Sequence, residues 1–573
     1  MRLQVVESKN AKSLYIVKST YEKGKRSSKV VEKLGTYAEL SKIHPDPIAW
    51  GKAYAKELTK AEKETRQEII IKKSQSKLIE KDIQSSFNGG YLFLQQIYHQ
   101  LGMHKICKTI SDNYKFSYNL DSILSRLIYG RILFPSSKLN TYQESKKLLE
   151  QPDFELHHVY RALEVIAKET DFIQSEVYKN SLSISKRNDQ ILYYDCTNYF
   201  FEIEEADGLK QYGVSKENRP NPLIEMGLFM DGDGIPLAFN IHSGNTNEQT
   251  TLKPLEEKIL KDFELARFVV CTDAGLSSTS NRKFNNKQGR SFITTQSIKK
   301  LKGHLKEWAL DPSGWHLTGR KGSYNISILE EDEAAYEKYK SETFYKERWI
   351  NENGLEQKLI VTYSLKYRDY QRQIRNKQLD RASKQVEQNP TSINKKRQND
   401  PKRFITSTNV TKDGEVANKV VHSINTEAVK KEEMYDGFYA VCTNLEDEAS
   451  TIIKINQKRW KIEECFRILK YDFKSRPVYL SRDDRITAHF TTCFLALTIY
   501  RYLEKQLNEQ FTCDEIIKNL RDMNFYYVPA DGYIPTYTRT GFTDSLHETF
   551  GFRTDYEIVG KRQMKKIFKD TKK

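Results

Sequence analysis

Residues 188–202, NDQILYYDCTNYFFE, and residues 267–275, RFVVCTDAG, decide how this chain reads. Each sets a largely apolar run before an aspartate: Ile191–Tyr194 before Asp195, and Phe268–Thr272 before Asp273. Such runs read as buried strands. A carboxylate at the end of one is costly unless it is paired, hydrogen-bonded or bound to metal. Gly275, two residues past Asp273, lets the second strand leave its sheet. Two strand-end aspartates in one α/β unit can meet at one edge. Taken singly, each also reads as a helix-capping or loop residue.

The sequence between and after them fills in the unit. LIEMGLFMD (223–231), the turn Asp231-Gly232-Asp233-Gly234 and IPLAFNIHSG (235–244) read as a hairpin. TNEQTTLKPLEEKILKDF (246–263) reads as a helix and SFITTQSI (291–298) as a further strand. This order predicts a mixed α/β sheet covered by helices. Residues 300–435 break the rhythm and read as an insertion of strands and a basic helix. YDGFYAVCTNL (435–445) returns to strand character. Two helices follow, EASTIIKINQKRWKIEECFRILKYDF (448–473) and the more apolar RITAHFTTCFLALTIYRYLEKQL (485–507).

Upstream, residues 1–40 read as strands around a Gly24 turn and residues 50–82 as a charged helix. Asn88-Gly89-Gly90 marks a boundary before helices over 91–185. Downstream, residues 506–573 read as a helical tail with a frayed end, KRQMKKIFKDTKK. The expected divisions are 1–85, 86–185, 186–299, 300–435, 436–505 and 506–573.

The chain's 573 residues suffice for three or four domains at about 150 residues each. Hydrophobic residues make up 38%, with 34 Tyr and 27 Phe, enough for a substantial core. The net charge is +16, and residues 1–82 hold 19 Lys and Arg against 11 Asp and Glu, half of that surplus. Such an excess suits an anionic partner, most commonly nucleic acid, and reads equally as a solvated basic surface. The seven cysteines form no CxxC pair and are odd in number, which argues against a disulfide framework and a structural zinc site. A reducing cytoplasm fits. MRLQVVESKN lacks a signal-peptide stretch, and the run around Phe494–Tyr500 is too short to span a bilayer.

A third acid, Glu463, has Arg459 four residues before it and Lys470 seven after, spacings that return to one helical face. Ile462, Phe466 and Leu469 lay an apolar stripe beside it. On spacing alone, Arg459–Glu463 also reads as a surface ion pair worth about 0.3–0.5 kcal/mol.

Taken in order, YYDCTNYFFE, the stretch GLKQYGVSKENRPNPLIEMGLFMDGDGIPLAFNIHSGNTNEQTTL, VVCTDAGLSSTSN, RWKIEECFRILK and RPVYL resemble the DDE transposases of the IS4 type, and within them the IS1634-like group. The resemblance covers about residues 186–505. That group's third motif runs Tyr, two residues, Arg, three residues, Glu, six residues, Lys. Arg459, Glu463 and Lys470 match it; Asn456 stands where the Tyr is expected. Glu464 lies about 100° around the helix, and the spacing selects Glu463.

The resemblance implies an RNase H-like fold, two aspartates on adjacent strands with the glutamate on a helix, and a mostly β insertion before that glutamate. It implies Asp195, Asp273 and Glu463 as catalytic residues and metal ligands. Oxygen donors suit Mg²⁺, with Mn²⁺ able to substitute. Two such ions, about 4 Å apart, support in-line displacement at phosphorus. The expected reaction is cleavage at the ends of an insertion sequence, then attack of the freed 3′-OH on target DNA. Arg459 and Lys470 are expected against phosphate; Lys216 and Arg219, in YGVSKENRP (212–220), reach DNA or lie in a solvated loop. Trp460 is expected in the core and His489 in a structural role. The expected partners are the terminal inverted repeats and target DNA, bound by a homodimer on paired ends in a prokaryotic, nucleoid-associated setting. The alternatives are an RNase H-like nuclease without strand transfer, a DNA-binding regulator, and an end-binding chain that no longer cuts.

Overall fold

The computed structural model describes the chain apart from residues 9–10, 23–24, 66–70, 72, 288, 389–399, 411–418 and 530. It divides into two compact units, residues 1–83 with 529–531 and residues 84–528 with 532–573.

The first unit has three antiparallel strands, β1 (Arg2–Glu7), β2 (Lys12–Glu22) and β3 (Lys25–Thr36), and the helix Pro47–Thr65. Leu14, Ile16, Val17 and Ala55 are buried. A Cβ at Gly51 would lie 2.9 Å from the Leu3 side chain, so glycine lets the helix rest close on the sheet. The helix is shorter than the 50–82 span read from charge and periodicity; none of residues 73–82 is helical.

The second unit opens with β4 (Ser86–Asn88) and is organised by a nine-stranded sheet. Its strands are β5 (Ile191–Phe200), β6 (Leu223–Asp231), β7 (Pro236–Ser243), β8 (Phe268–Thr272), β9 (Arg290–Gln296), β10 (His316–Leu317), β11 (Phe344–Glu352), β12 (Leu355–Tyr363) and, after the two-stranded β13 (Ile405–Val410) and β14 (Lys419–Ile424), β15 (Phe438–Thr443). The spatial order is β10–β11–β12–β15–β9–β8–β5–β6–β7. β8 pairs parallel with β5 and with β9, and the remaining pairs are antiparallel. The chain is therefore a mixed α/β protein with a large mixed sheet.

Strand alternation sorts the core. Tyr193 and Tyr199 of β5, with Met226, Leu228 and Met230 of β6, face one side; Leu192, Tyr194 and Phe229 face the other. On the first side lies the helix Asp483–Gln506, buried from Ile486 to Leu503 save for Thr487. A helix apolar on every side needs neighbours all round. Phe490 meets Tyr199 and Phe494 meets Phe239, with ring centroids 4.8 and 5.0 Å apart. Its other sides pack on Tyr91–Gln100, Leu120–Leu133 and Leu156–Lys168, so the helical module and the sheet share one core. Leu255 and Ile259 of the helix Leu252–Asp262 cover the second side.

The turn after β6 is held by a buried ion pair. Arg187 Nε donates to Asp231 at 2.7 Å, and Asp231 Oδ1 accepts from the backbone N–H groups of Asp233 and Ile235. Residues 300–435, read as an insertion, supply β10–β12 to the main sheet, because β15 pairs with β12 on one side and β9 on the other. The tail read as helical contains β16 (Asn524–Val528), β17 (Gly532–Pro535) and β18 (Val559–Gly560), which join β4 in the order β18–β17–β16–β4. These strands are too short to show a period. The end is not frayed: Lys561–Asp570 is a helix that buries Met564 and Ile567. Among the described residues, no helix is long and apolar enough to cross a membrane.

Candidate active site

Asp195 lies inside β5 rather than at its end, opposite Leu228 of β6. The parallel pairing of β5 with β8 nevertheless stops at Tyr193 and Cys271. Both aspartates stand two residues beyond that last pair. Neighbouring strands run about 4.8 Å apart, and residues two apart share a face. On that face Tyr193 Oη donates to the Ile455 carbonyl at 2.7 Å, and Cys271 Sγ lies 3.7 Å from Asn456 Oδ1. Both contacts are with the helix Ala449–Gln457. The next helix, Trp460–Arg467, packs on β5 and carries Glu463.

Asp195 Oδ1 accepts from the Cys196 N–H at 2.8 Å, and Asp273 Oδ1 from the Leu276 N–H at 3.0 Å. Burial pushes the Asp195 carboxyl up to about 6; Lys216 opposes the rise, Asp273 adds to it, and Arg459 opposes it. The guanidinium of Arg459 lies 3.3 Å from Glu463, whose side chain is 60% exposed. Burial works against the Arg459 cation, but Tyr439, Asp195, Glu463 and Asp273 together raise its pKa. The fold thus draws the two aspartates together and ties Glu463 to them through Arg459. Among the described residues, no three His, Cys, Asp or Glu side chains converge closely enough to hold an ion. The aspartate pair, two like charges just past the end of the β5–β8 pairing, has the donor chemistry a divalent cation needs; Glu463 is engaged with Arg459 instead.

The other basic candidates have partners. Lys470 lies 3.4 Å from Glu217 and 5.3 Å from the centre of the Tyr199 ring, and its burial lowers its pKa. Arg476 pairs with the same Glu217. Lys216 bonds Glu248 at 2.7 Å and the Cys196 carbonyl at 2.6 Å. Arg219 is exposed and stacks over Phe200 at 4.4 Å. Asn456 is buried and donates to Tyr439 Oη at 3.2 Å. Trp460 is 55% exposed, not in the core, because it opens its helix on the side away from Ile462, Cys465 and Phe466. His489 is buried, with Nε2 3.0 Å from the Ser475 carbonyl.

Sequence reasoning passed over Glu217, which holds two cations beside the acids, and Glu225, 3% exposed in β6. Burial, and then Glu248, push the Glu225 carboxyl up to about 8. The signal for Glu225 was present: it is the only charged residue inside LIEMGLFM. Glu217 sits in a loop with no pattern to single it out.

The chain matches the family model "Transposase DDE domain" over residues 206–499, just over half its length. That match shows that the chain belongs to the Transposase DDE domain family. The match includes Asp273, Glu463 and Lys470 and begins eleven residues after Asp195. Similar solved structures include the piggyBac transposase synaptic complex with hairpin DNA, at 7% identity and a TM-score of 0.36, covering 76% of this chain and 80% of that one. The Mos1 transposase paired-end complex with left transposon end has 11% identity and a TM-score of 0.13, covering 40% of this chain and 64% of that one. No curated protein matches the chain.

Proposed function

We propose that this transposase is of the IS4 type and IS1634-like group, that it cuts DNA at the ends of an insertion sequence, and that it joins the freed ends to a target. Asp195, Asp273 and Glu463 are its acids. The observation that carries this reading is the register: both aspartates stand two residues past the same Tyr193–Cys271 pair, on the face that bears the Glu463 helix. The strand order β7–β6–β5–β8–β9, antiparallel through β5 and parallel from β5 onward, supports an RNase H-like core.

Asp195 and Asp273 would hold a divalent cation, Mg²⁺ or Mn²⁺, with Glu463 completing the set once released from Arg459. Such an ion supplies Lewis-acid activation of the phosphate and of the attacking oxygen. In the first step a water oxygen bonds to phosphorus and the 3′ oxygen leaves with a proton. In the second, the oxygen of that 3′-OH gives up its proton as it bonds to a target phosphorus, and the displaced target 3′ oxygen leaves with a proton as a new 3′-OH. Arg459, once free of Glu463, offsets negative charge on the phosphate, and Lys470, Lys216 and Arg219 position the DNA backbone. The basic unit of residues 1–85 grips the terminal repeats, and two copies act on paired ends.

The test uses labelled terminal-repeat DNA, a target plasmid and Mg²⁺. The wild type should give both nicked and joined products. Asp195→Ala and Asp273→Ala should bind the ends yet cut neither strand. Full cleavage by Asp273→Ala would remove the site from consideration. Nicking without joined products would identify a nuclease rather than a strand-transfer enzyme.

A further inference from the structure

A further cluster of basic residues surrounds a cavity. A cavity of about 340 Å³ opens between the end of the helix Leu120–Leu133, the first turn of the helix Lys138–Ser145, the segment 474–480 and His489 of the long central helix. Arg131, Lys138, Lys474, Arg476 and His489 all line it, and no lining residue is acidic. Lys138 is 5% exposed, and its Nζ is 3.4 Å from His489 Nδ1, another basic group. Arg131 is 4% exposed; its terminal nitrogens donate to the carbonyls of Phe473, Lys474 and Ser136, and among the described residues its buried Nε has no partner.

Buried cations in proteins are ordinarily paired with an acid or neutralised. Among the described residues, no carboxylate pairs with Arg131 or Lys138. Burial, then the Arg131 charge, bring Lys138 down to about 7, and burial with Lys138 and Arg131 pulls His489 well below its ordinary value. Of the cations lining the cavity, Arg476 pairs with an acid, Glu217, which does not itself line it. Ser137 caps the helix that starts at Lys138, so the positive end of that helix opens on the same space. Several cationic donors converging from different elements suit a group with several anionic oxygens better than a single carboxylate.

We propose that this cavity is a phosphate-binding site in which Lys138 and Lys474 receive the oxygens of a phosphate group, beside Arg476, which Glu217 pairs. The phosphate comes from the backbone of a bound nucleic acid or from a free phosphate in solution. The site does not depend on the cleavage chemistry.

Equilibrium dialysis of the full chain with inorganic phosphate tests it, beside thermal melts with and without phosphate. Lys138→Met removes the buried cation. Lys474→Asn changes an exposed residue whose φ of +44° suits asparagine, so it tests the site even should Lys138→Met fail to fold. The wild type should bind one phosphate in the cavity, with affinity falling at least tenfold in Lys138→Met and about threefold in Lys474→Asn. Without phosphate, Lys138→Met should melt at or above the wild-type temperature, and phosphate should no longer raise it. Wild-type phosphate affinity in Lys474→Asn, or a lower melting point for Lys138→Met with an undiminished rise on adding phosphate, overturns the proposal. In the wild type, displacement of phosphate by duplex DNA assigns the site to a backbone phosphate; retention assigns it to a free one.

Discussion

Arg459 lies 3.3 Å from Glu463 and is the cation that links all three candidate acids, since its charge also reaches Asp195 and Asp273. Without a bound ion, it offsets their mutual repulsion. Arg459→Ala should therefore destabilise the ion-free protein by about 1 kcal/mol. Mg²⁺ should raise the melting temperature of the variant more than that of the wild type. Equal rises in paired thermal melts would separate Arg459 from the acids.

Asp195 gives a pH-dependent stability signature. Its folded pKa of about 6 stands above the ordinary 3.8. The folded state therefore binds a proton more readily than the unfolded chain, and ionised Asp195 costs stability. That cost grows from about pH 4 to pH 6 and is full above it, at most about 3 kcal/mol. Asp195→Asn should be more stable than wild type at pH 7.5 and indistinguishable from it at pH 3.5. Urea unfolding at both pH values decides, and a variant no more stable at pH 7.5 contradicts the expectation.

Glu217 holds Lys470 and Arg476 together. Glu217→Gln should free both cations, tightening DNA binding and steepening its salt dependence. Lys470→Ala should weaken binding and reduce the slope of log K against log salt by about 1. Filter binding across a salt series measures both, and unchanged slopes would place these residues off the DNA path.

The Arg187–Asp231 pair is wholly buried, with side-chain exposures of 1% and 0%. Asp231→Ala strands the guanidinium and unties the turn joining β6 to β7, at a cost of about 3–5 kcal/mol. Chemical denaturation should show the loss; a change below 1 kcal/mol would mean that water replaces the carboxylate.

The local geometry around the candidate residues was legible because its signals are local. The apolar runs before Asp195 and Asp273 are strands, and the four-residue spacing of Arg459 and Glu463 does place them in contact. What escaped depends on pairing. The apolar run reads as a strand ending at Asp195, yet CTNYF continues that strand; what stops short of Asp195 is the pairing with β8. The union of Lys138 with His489 spans 351 positions, and no spacing rule reaches that far. β10–β12 read as a separate body because β15, the strand that binds them to the sheet, arrives much later in the chain.

That late arrival bears on synthesis. β15 fills the gap between β9 and β12, two strands made long before it. Until residue 443 clears the ribosome, the nascent protein displays two open sheet borders facing an empty slot. Products truncated short of Phe438 retain both aspartates, lack Glu463, and expose backbone groups that invite clumping. They should collect in the insoluble fraction of a cell lysate, where an interrupted message leaves no stray DNA-cutting fragment.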